Sequence, residues 1–143
     1  MAEELEPLRL LAEDGEDIAV IAAALQDAVA KIGDINYEAA ARRVTIGFNR
    51  FRWEAGARTR ERIRSGIQFG GVLGVKARKL RRDAPNAVVE LLTLAFEPGE
   101  APGGVITLAF AGGGDLRLEV ECVDAVLSDV SAAWPARRVP EHG

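Results

Sequence analysis

The sequence predicts an α+β domain built on a mostly antiparallel, bent sheet or half-open barrel of about seven strands, with a helix near each end. Alternating apolar and polar runs, separated by Gly- and Pro-containing turns, fill the middle of the chain and are typical of antiparallel strands. Apolar residues at helical spacing occur before and after these runs. The length of 143 residues suits one domain, residues 1–143, with an ordered core at about 8–134 and a tail at 136–143.

The amino-terminal part predicts one strand and one helix. Residues 8–11 contain three leucines in a short apolar run that fits a first strand. The acidic cluster at residues 13–17 suits a helix amino terminus, because carboxylates there interact with unpaired backbone N–H groups and with the positive end of the helix dipole. Apolar residues at 18–25 then follow at i, i+3, i+4 and i+7. We expect this amphipathic helix to end near residues 26–28.

Two short strands are predicted next. Residues 29–32 and 35–37 flank Gly33-Asp34, which suits a tight turn. Residues 38–41 have helical propensity, so a helical turn is the alternative there.

The run RRVTIGFNRFRWE at residues 42–54 predicts the central strand. Its apolar residues from Val44 to Phe48 alternate with polar residues and glycine, which indicates a half-buried strand. The pattern then changes phase, because Phe51 and Trp53 lie at odd positions. We therefore expect a β-bulge at residues 47–50, which would turn both aromatic rings into the core.

Five further runs complete the predicted sheet. Residues 58–67 alternate arginines with apolar residues, and Gly70-Gly71 separates them from a run at 72–77. The nearly continuous apolar run at 88–96 is typical of a well-covered central strand. The alternating runs at 105–110 and 116–122 are joined by a Gly-rich turn, which predicts a β-hairpin.

The end of the chain predicts a closing helix. Apolar residues from Val123 to Val130 recur at i, i+3, i+4 and i+7. Trp134-Pro135 would end this helix, with the indole folding back onto the sheet. The resulting order of elements is similar to the pleckstrin-homology-like superfold, in which a carboxy-terminal helix plugs one corner of a bent sheet. This similarity concerns the fold and implies no function.

Charge is strongly segregated along the chain, although the net charge is only −4. Residues 42–82 carry +11, whereas residues 1–41 carry −8 and residues 83–143 carry −7. Such asymmetry indicates either a partner for the basic segment or mutual neutralisation of the three segments on folding. Neutralisation is the simpler interpretation, because a basic segment need not become a basic face.

The two predicted basic strands provide a candidate binding surface. If they pair while Phe51 and Trp53 point inward, their guanidinium groups gather on one outer face. This candidate surface consists of Arg50, Arg52, Arg60, Arg62 and Arg64. We hypothesise a non-catalytic binding or assembly module for an acidic protein or a second copy of the chain. Nucleic acid is the less favoured partner, because the sequence pI is near 5.1.

Catalytic, metal-binding and cofactor-binding sites lack the residue patterns they require. Cys122 is the single cysteine, and the single histidine, His142, lies in the predicted tail, so Cys–His and zinc patterns are absent. We therefore predict no catalytic residue, metal or cofactor. The alternative is a small enzyme or binder for an anionic ligand, with Asn49 and Glu54 in its pocket.

The sequence also favours a cytoplasmic location without membrane binding. The acidic amino terminus lacks the basic and apolar regions of a signal peptide. No run approaches the roughly 20 apolar residues of a membrane span. A lone cysteine gives no indication of an oxidising compartment.

Three short stretches together resemble a known family. They are LQDA at residues 25–28, NRFRWE at residues 49–54 and LEVEC at residues 118–122. The chain is similar through them to domain-of-unknown-function family 2948, a bacterial family of uncharacterised proteins, over roughly residues 8–142. The hexapeptide is the most specific stretch, because Trp and Asn are both uncommon. The resemblance implies a small single-domain cytoplasmic protein and supplies no activity, ligand or catalytic residue.

Overall fold

The computed structural model describes residues 7–56 and 61–130, together with the backbone of Trp134 and Pro135. One α-helix, α1 (Gly15–Ala24), and three short 3-10 turns (Ile32–Asp34, Ala39–Ala41 and Trp53–Ala55) lie within these residues. The strands are β1 (Arg9–Ala12), β2 (Val29–Lys31), β3 (Ile35–Glu38), β4 (Arg43–Phe51), β5 (Glu61–Phe69), β6 (Val72–Arg78), β7 (Val88–Pro98), β8 (Gly104–Phe110), β9 (Asp115–Val120), β10 (Ala125–Asp129) and the two-residue β11 (Trp134–Pro135). No helix in the described ranges is long and apolar enough to cross a membrane.

The strands form one antiparallel sheet that is not closed. Its order is β1-β10-β5-β4-β2-β7-β8-β9-β6, with β3 beside β4 and β11 beside β5. Side chains from both halves of this path, including Phe48 in β4 and Leu108 in β8, belong to one buried cluster. The strands therefore share a single core, and the predicted antiparallel pairing is confirmed.

The amino-terminal helix forms where the acidic cluster predicted it. The Asp14 side chain accepts a hydrogen bond from the N–H of Asp17 (2.8 Å), and the Asp17 carboxylate accepts one from the N–H of Glu13 (2.9 Å). These bonds occupy donors that a helix start leaves unpaired. Ile18 and Ile21 are buried, and α1 packs against β7. The helix ends at Ala24, slightly earlier than predicted.

The predicted carboxy-terminal helix is wrong, and so is the pleckstrin-homology-like order that depends on it. The segment forms β10, in which Ala125 and Leu127 are buried while Val126 and Ser128 are less buried. The apolar spacing of this short segment fits both a helix and a strand. Backbone pairing with β1 on one side and β5 on the other decides for the strand.

The predicted count of about seven strands is also wrong. Ten strands of three or more residues and the two-residue β11 lie in the part of the chain that the structure describes. The strand missing from the prediction is β10, which was predicted as a helix, whereas β1, β2 and β3 lie at runs that the sequence predicted as short strands. β10 has only five residues, so its alternation is too brief to distinguish it from a helical turn.

The bulge predicted at residues 47–50 is absent. β4 pairs with β5 in an unbroken register, from Val44 opposite Phe69 to Phe51 opposite Arg62. Even positions of β4 therefore face the core throughout, including position 50. Register shifts occur instead in β6 against β9 and in β7 against β8.

Some of the remaining local predictions are confirmed and others are wrong. The β8–β9 hairpin is confirmed. β2 and β3 form but pair with other strands rather than with each other, and residues 39–41 adopt the alternative helical turn. β7 is half exposed rather than well covered, since Val88 and Leu92 face solvent. The predicted tail at 136–143 and the Trp134 side chain lie outside the described residues.

Candidate functional site

Arg50 is the largest fully buried side chain among the described residues, with 0% of its area exposed. It lies in β4 at the even position that follows Val44, Ile46 and Phe48, so the strand itself directs it into the core. Its guanidinium group is thus a buried cation, which is stable only when it is paired and fully hydrogen-bonded.

Two carboxylates and a hydroxyl surround this guanidinium group. Its Nε lies 3.0 Å from both Ser65 Oγ and Asp129 Oδ1. Its Nη2 donates to Asp129 Oδ2 (2.9 Å) and Glu54 Oε2 (2.7 Å), and its Nη1 donates to Glu54 Oε1 (2.9 Å) and the Phe51 carbonyl (2.9 Å). Every N–H group therefore has an acceptor. We call Arg50, Glu54, Ser65 and Asp129 the buried arginine cluster.

Asp129 connects the cluster to three further parts of the fold. Its side chain is 1% exposed, and it accepts hydrogen bonds from Ser65 Oγ (2.6 Å) and the backbone N–H of Leu8 (2.7 Å). Because Asp129 ends β10, Ser65 lies in β5 and Leu8 precedes β1, the cluster joins these strands to β4.

The pKa values of the cluster reflect this arrangement. Burial alone would raise the pKa of Asp129, but hydrogen bonds from Arg50, Ser65 and the Leu8 N–H lower it below its ordinary value. The hydrogen bond from Arg50 lowers the pKa of Glu54, against the opposing effect of burial. Burial opposes the charge on Arg50, but its two carboxylate partners raise its pKa. All three groups are therefore charged at neutral pH.

Arg50 and Glu54 bind each other and leave no place for a ligand between them. Both oxygens of each carboxylate contact the guanidinium group, either at Nε and Nη2 or at Nη1 and Nη2. Arg50 is thus absent from any exposed surface. Glu54, a predicted pocket residue, keeps part of its side chain exposed, but its carboxylate forms an ion pair with Arg50.

Of the other predicted arginines, Arg62 and Arg64 lie at outward positions of β5, and Arg52 lies directly after β4. Arg52 pairs with Glu61 (2.7 Å), and Arg64 pairs with Asp34 (2.9 Å). Asn49, the second candidate pocket residue, accepts a hydrogen bond from Arg64 Nη1 at 3.3 Å. Arg60 lies outside the described residues.

Phe51 and Trp53 do not point into the core, contrary to the prediction. Their ring centroids lie 5.2 Å apart, and the guanidinium carbon of Arg62 lies 4.0 Å from the Phe51 ring centroid. The indole N–H of Trp53 donates to the Gln26 carbonyl (3.2 Å). Burial lowers the pKa of Arg62, against the attraction of Glu90. The described arginines of the predicted surface therefore already have partners within the fold.

Among the described residues, most of the exposed positive charge without an ion pair lies at the end of β6 and in the loop after it. This basic end consists of Lys76, Arg78, Lys79, Arg81, Arg82 and the neighbouring Arg117 of β9. Within the described ranges, Lys76, Lys79 and Arg82 form no ion pair. Asp115 pairs with Arg78 (2.7 Å) and lies 3.9 Å from Arg117, and Asp83 lies 3.5 Å from Arg81. Six cations and two acids thus occupy this region.

A groove of about 720 Å³ runs over the outer face of β6, β8 and β9 beside the basic end. Lys76 and Arg117 line one part of it. Four acids line the rest, namely Glu97, Glu100, Glu119 and Glu121, which we call the acidic end. A second hollow of about 480 Å³ continues past Lys76 to Arg82. The charge on the outer face therefore changes from positive to negative along the strands.

The summed charge of residues 42–82 does not reveal this groove, because the sum does not show which side chains share a face of the sheet. The available signal was the alternation of Asp115, Arg117, Glu119 and Glu121, which puts acid and base on the same face of one strand. For Arg50, the signal was the unbroken series of even positions in β4. The change of phase at Phe51 conceals this series, because both aromatic residues after position 50 lie at odd positions.

Cys122 is half-buried and unpaired. No group of three or more His, Cys, Asp or Glu side chains that could hold a metal ion occurs in the residues the structure describes.

A family model described as "Protein of unknown function (DUF2948)" matches residues 8–142. The chain therefore belongs to this family, and the predicted resemblance over roughly residues 8–142 is confirmed. No curated protein and no solved structure matches the chain.

Replacing Arg50 by Met should reduce the free energy of unfolding by about 3–5 kcal/mol, because Asp129 would remain buried without its counter-ion. The matched control is Arg43→Met in the same strand, where an exposed ion pair with Glu38 (3.7 Å) is lost. This control should cost about 0–1 kcal/mol in urea unfolding experiments. Equal losses in the two variants would contradict the assigned role of Arg50.

Acid should destabilise the wild type more than a Glu54→Gln variant. The folded-state pKa of Glu54 is lowered, so its stabilising contribution is present above the unfolded value of about 4.3 and is lost as the pH falls through the folded value. The difference in unfolding free energy between the two proteins should be largest near neutral pH and shrink below about pH 4. A difference that does not change with pH would refute this assignment.

Proposed function

We propose that this member of the DUF2948 family is a non-catalytic assembly module that associates with a second copy of itself through β6 and the adjoining groove. One observation carries the proposal: the groove has an acidic end and a basic end and lies beside a terminal strand. A two-fold axis at that strand would bring the acidic end of each copy toward the basic end of the other. Such a surface is self-complementary, as an isologous contact requires.

The terminal position of β6 supports the proposal. Among the described residues, β9 is the one strand that pairs with β6. A terminal strand has unpaired N–H and C=O groups along its outer edge, and these can pair with a strand of another chain. Leu73 in this strand is 47% exposed, and Val75 and Ala77 are partly buried. Association would remove this apolar surface from water.

The non-catalytic part of the proposal is supported by the buried arginine cluster. Its carboxylates and guanidinium group are bound to one another, so none of them is positioned to act on a ligand. A cytoplasmic location is part of the proposal on sequence grounds, because Cys122 is the single cysteine.

An acidic protein or a nucleic acid is a less well supported partner. Either could meet the basic end, but a long anionic segment along the groove would be repelled by Glu97, Glu100, Glu119 and Glu121. None of the described residues that line the groove or the second hollow is aromatic, so unpaired bases would find no stacking partner among them.

Sedimentation equilibrium should show a reversible dimer at low salt that weakens as salt is added, since exposed charge pairs are screened. Leu73→Asp should weaken the dimer about tenfold by placing a charge in the apolar contact. The matched control is Leu92→Asp in β7, where a leucine of similar exposure (53%) lies away from β6. A wild type that stays monomeric at every concentration would refute the proposed function.

A further inference from the structure

We infer that two copies pair through antiparallel β6 strands in a register centred on Val75, in which Lys76 of each copy contacts Glu119 of the other. This inference rests on the proposed function and specifies its contact. It follows from the available length of the β6 edge, from the position of Gly74 and from the charges on either side.

The available edge is short and therefore restricts the pairing. The backbone N–H of Val72 donates to the Arg42 carbonyl (2.9 Å), so the start of β6 is already occupied. Residues 73–78 remain. An antiparallel contact centred on Val75 places Gly74 opposite Lys76 in the regular part of β6, and it places Leu73, which lies at the register shift between Val72 and Gly74, beside Ala77. This contact fits the available edge.

Gly74 provides the space for a charge contact across the edge. It lies opposite Glu119 in the β6–β9 register, and Glu119 Oε1 is 3.7 Å from the position that a Cβ of Gly74 would occupy. The Glu119 carboxylate thus lies over the glycine, on the outer face of β6 and β9. Paired strands are separated by roughly 4.8 Å, so a lysine opposite Gly74 can reach this carboxylate.

Lys76 is the residue that the register places opposite Gly74. It is exposed, shares the outer face with Glu119 and forms no ion pair with any described residue. The two-fold axis repeats the contact, so each dimer contains two Lys76–Glu119 pairs. The Val75 side chains face each other across the axis on the inner side, where Val75 already packs against the core.

The neighbouring registers are unfavourable. Centring the pair on Lys76 would place the two Lys76 side chains directly opposite each other, which is destabilising. Centring it on Gly74 would bring Lys76 opposite Val72, whose N–H is occupied by Arg42. A shift of one residue would put the outer face of one copy beside the inner face of the other. Lysine on an edge strand discourages unspecific pairing, and here it selects one register.

A charge-swap experiment tests this contact by sedimentation equilibrium. Lys76→Glu and Glu119→Lys should each weaken the dimer about tenfold, because each turns two attractions into two repulsions. The double variant should restore wild-type affinity. An equimolar mixture of the two single variants should form heterodimers, since both contacts become attractive. Arg9→Glu is the matched control for Lys76→Glu, because it makes the same change in net charge at an exposed residue of β1, at the opposite end of the sheet from β6.

Disulfide trapping provides a second measurement that does not depend on charge. In a Cys122→Ser background, Val75→Cys should form an interchain disulfide on mild oxidation, because opposite residues in an antiparallel pair lie about 4.5–5.5 Å apart. Ala77→Cys is the control and should not crosslink, since two copies of residue 77 would be four positions apart along the paired strands.

The outcomes separate the inference from the proposed function. A monomeric wild type overturns both. A wild-type dimer whose affinity is unchanged by Lys76→Glu and Glu119→Lys, or is not restored in the double variant, overturns the register alone. Crosslinking through residue 77 rather than residue 75 also overturns the register. Rescue in the double variant together with crosslinking through residue 75 supports it.

Discussion

The burial of one guanidinium group in the core is the constraint on which the rest of the structure depends. Arg50 occupies an inward position of β4, and a cation there requires carboxylates in the interior. Asp129 and Glu54 supply them from β10 and from the turn after β4. The cluster therefore fixes how β1, β4, β5 and β10 meet. It also explains why β10 is a strand, because Asp129 reaches Arg50 from the end of an extended segment that pairs with β5.

The same constraint determines which charges remain on the surface. Because β4 has no bulge, Phe51 faces outward and is covered by Arg62, while Arg52 and Arg64 have acidic partners. In the folded chain, most of the cationic side chains of residues 42–82 thus have a partner. Among the described residues, the rest lie at the end of β6 and face glutamates at the acidic end across a groove. The opposition of these two ends is the physical basis for the assembly that we propose.

The sequence predicted the features that depend on local pattern. The acidic helix start before α1 and the alternation on both sides of the Gly-rich β8–β9 turn specify their structures within a few residues. The features that failed depend on distant partners. Arginine is almost always exposed in strands, and its burial at position 50 requires Asp129, which is 79 residues away in the chain. Likewise, β10 is defined by its two neighbours and not by its own five residues.

The central claim is that the charges left after folding direct self-association at β6, and hydrogen–deuterium exchange measured as a function of protein concentration tests it most directly. The account predicts that amides of residues 73–78 gain protection as concentration rises at low salt, while amides of the other terminal strand, β1, do not change. Unchanged exchange in β6, or protection that appears at β1 instead, would contradict it.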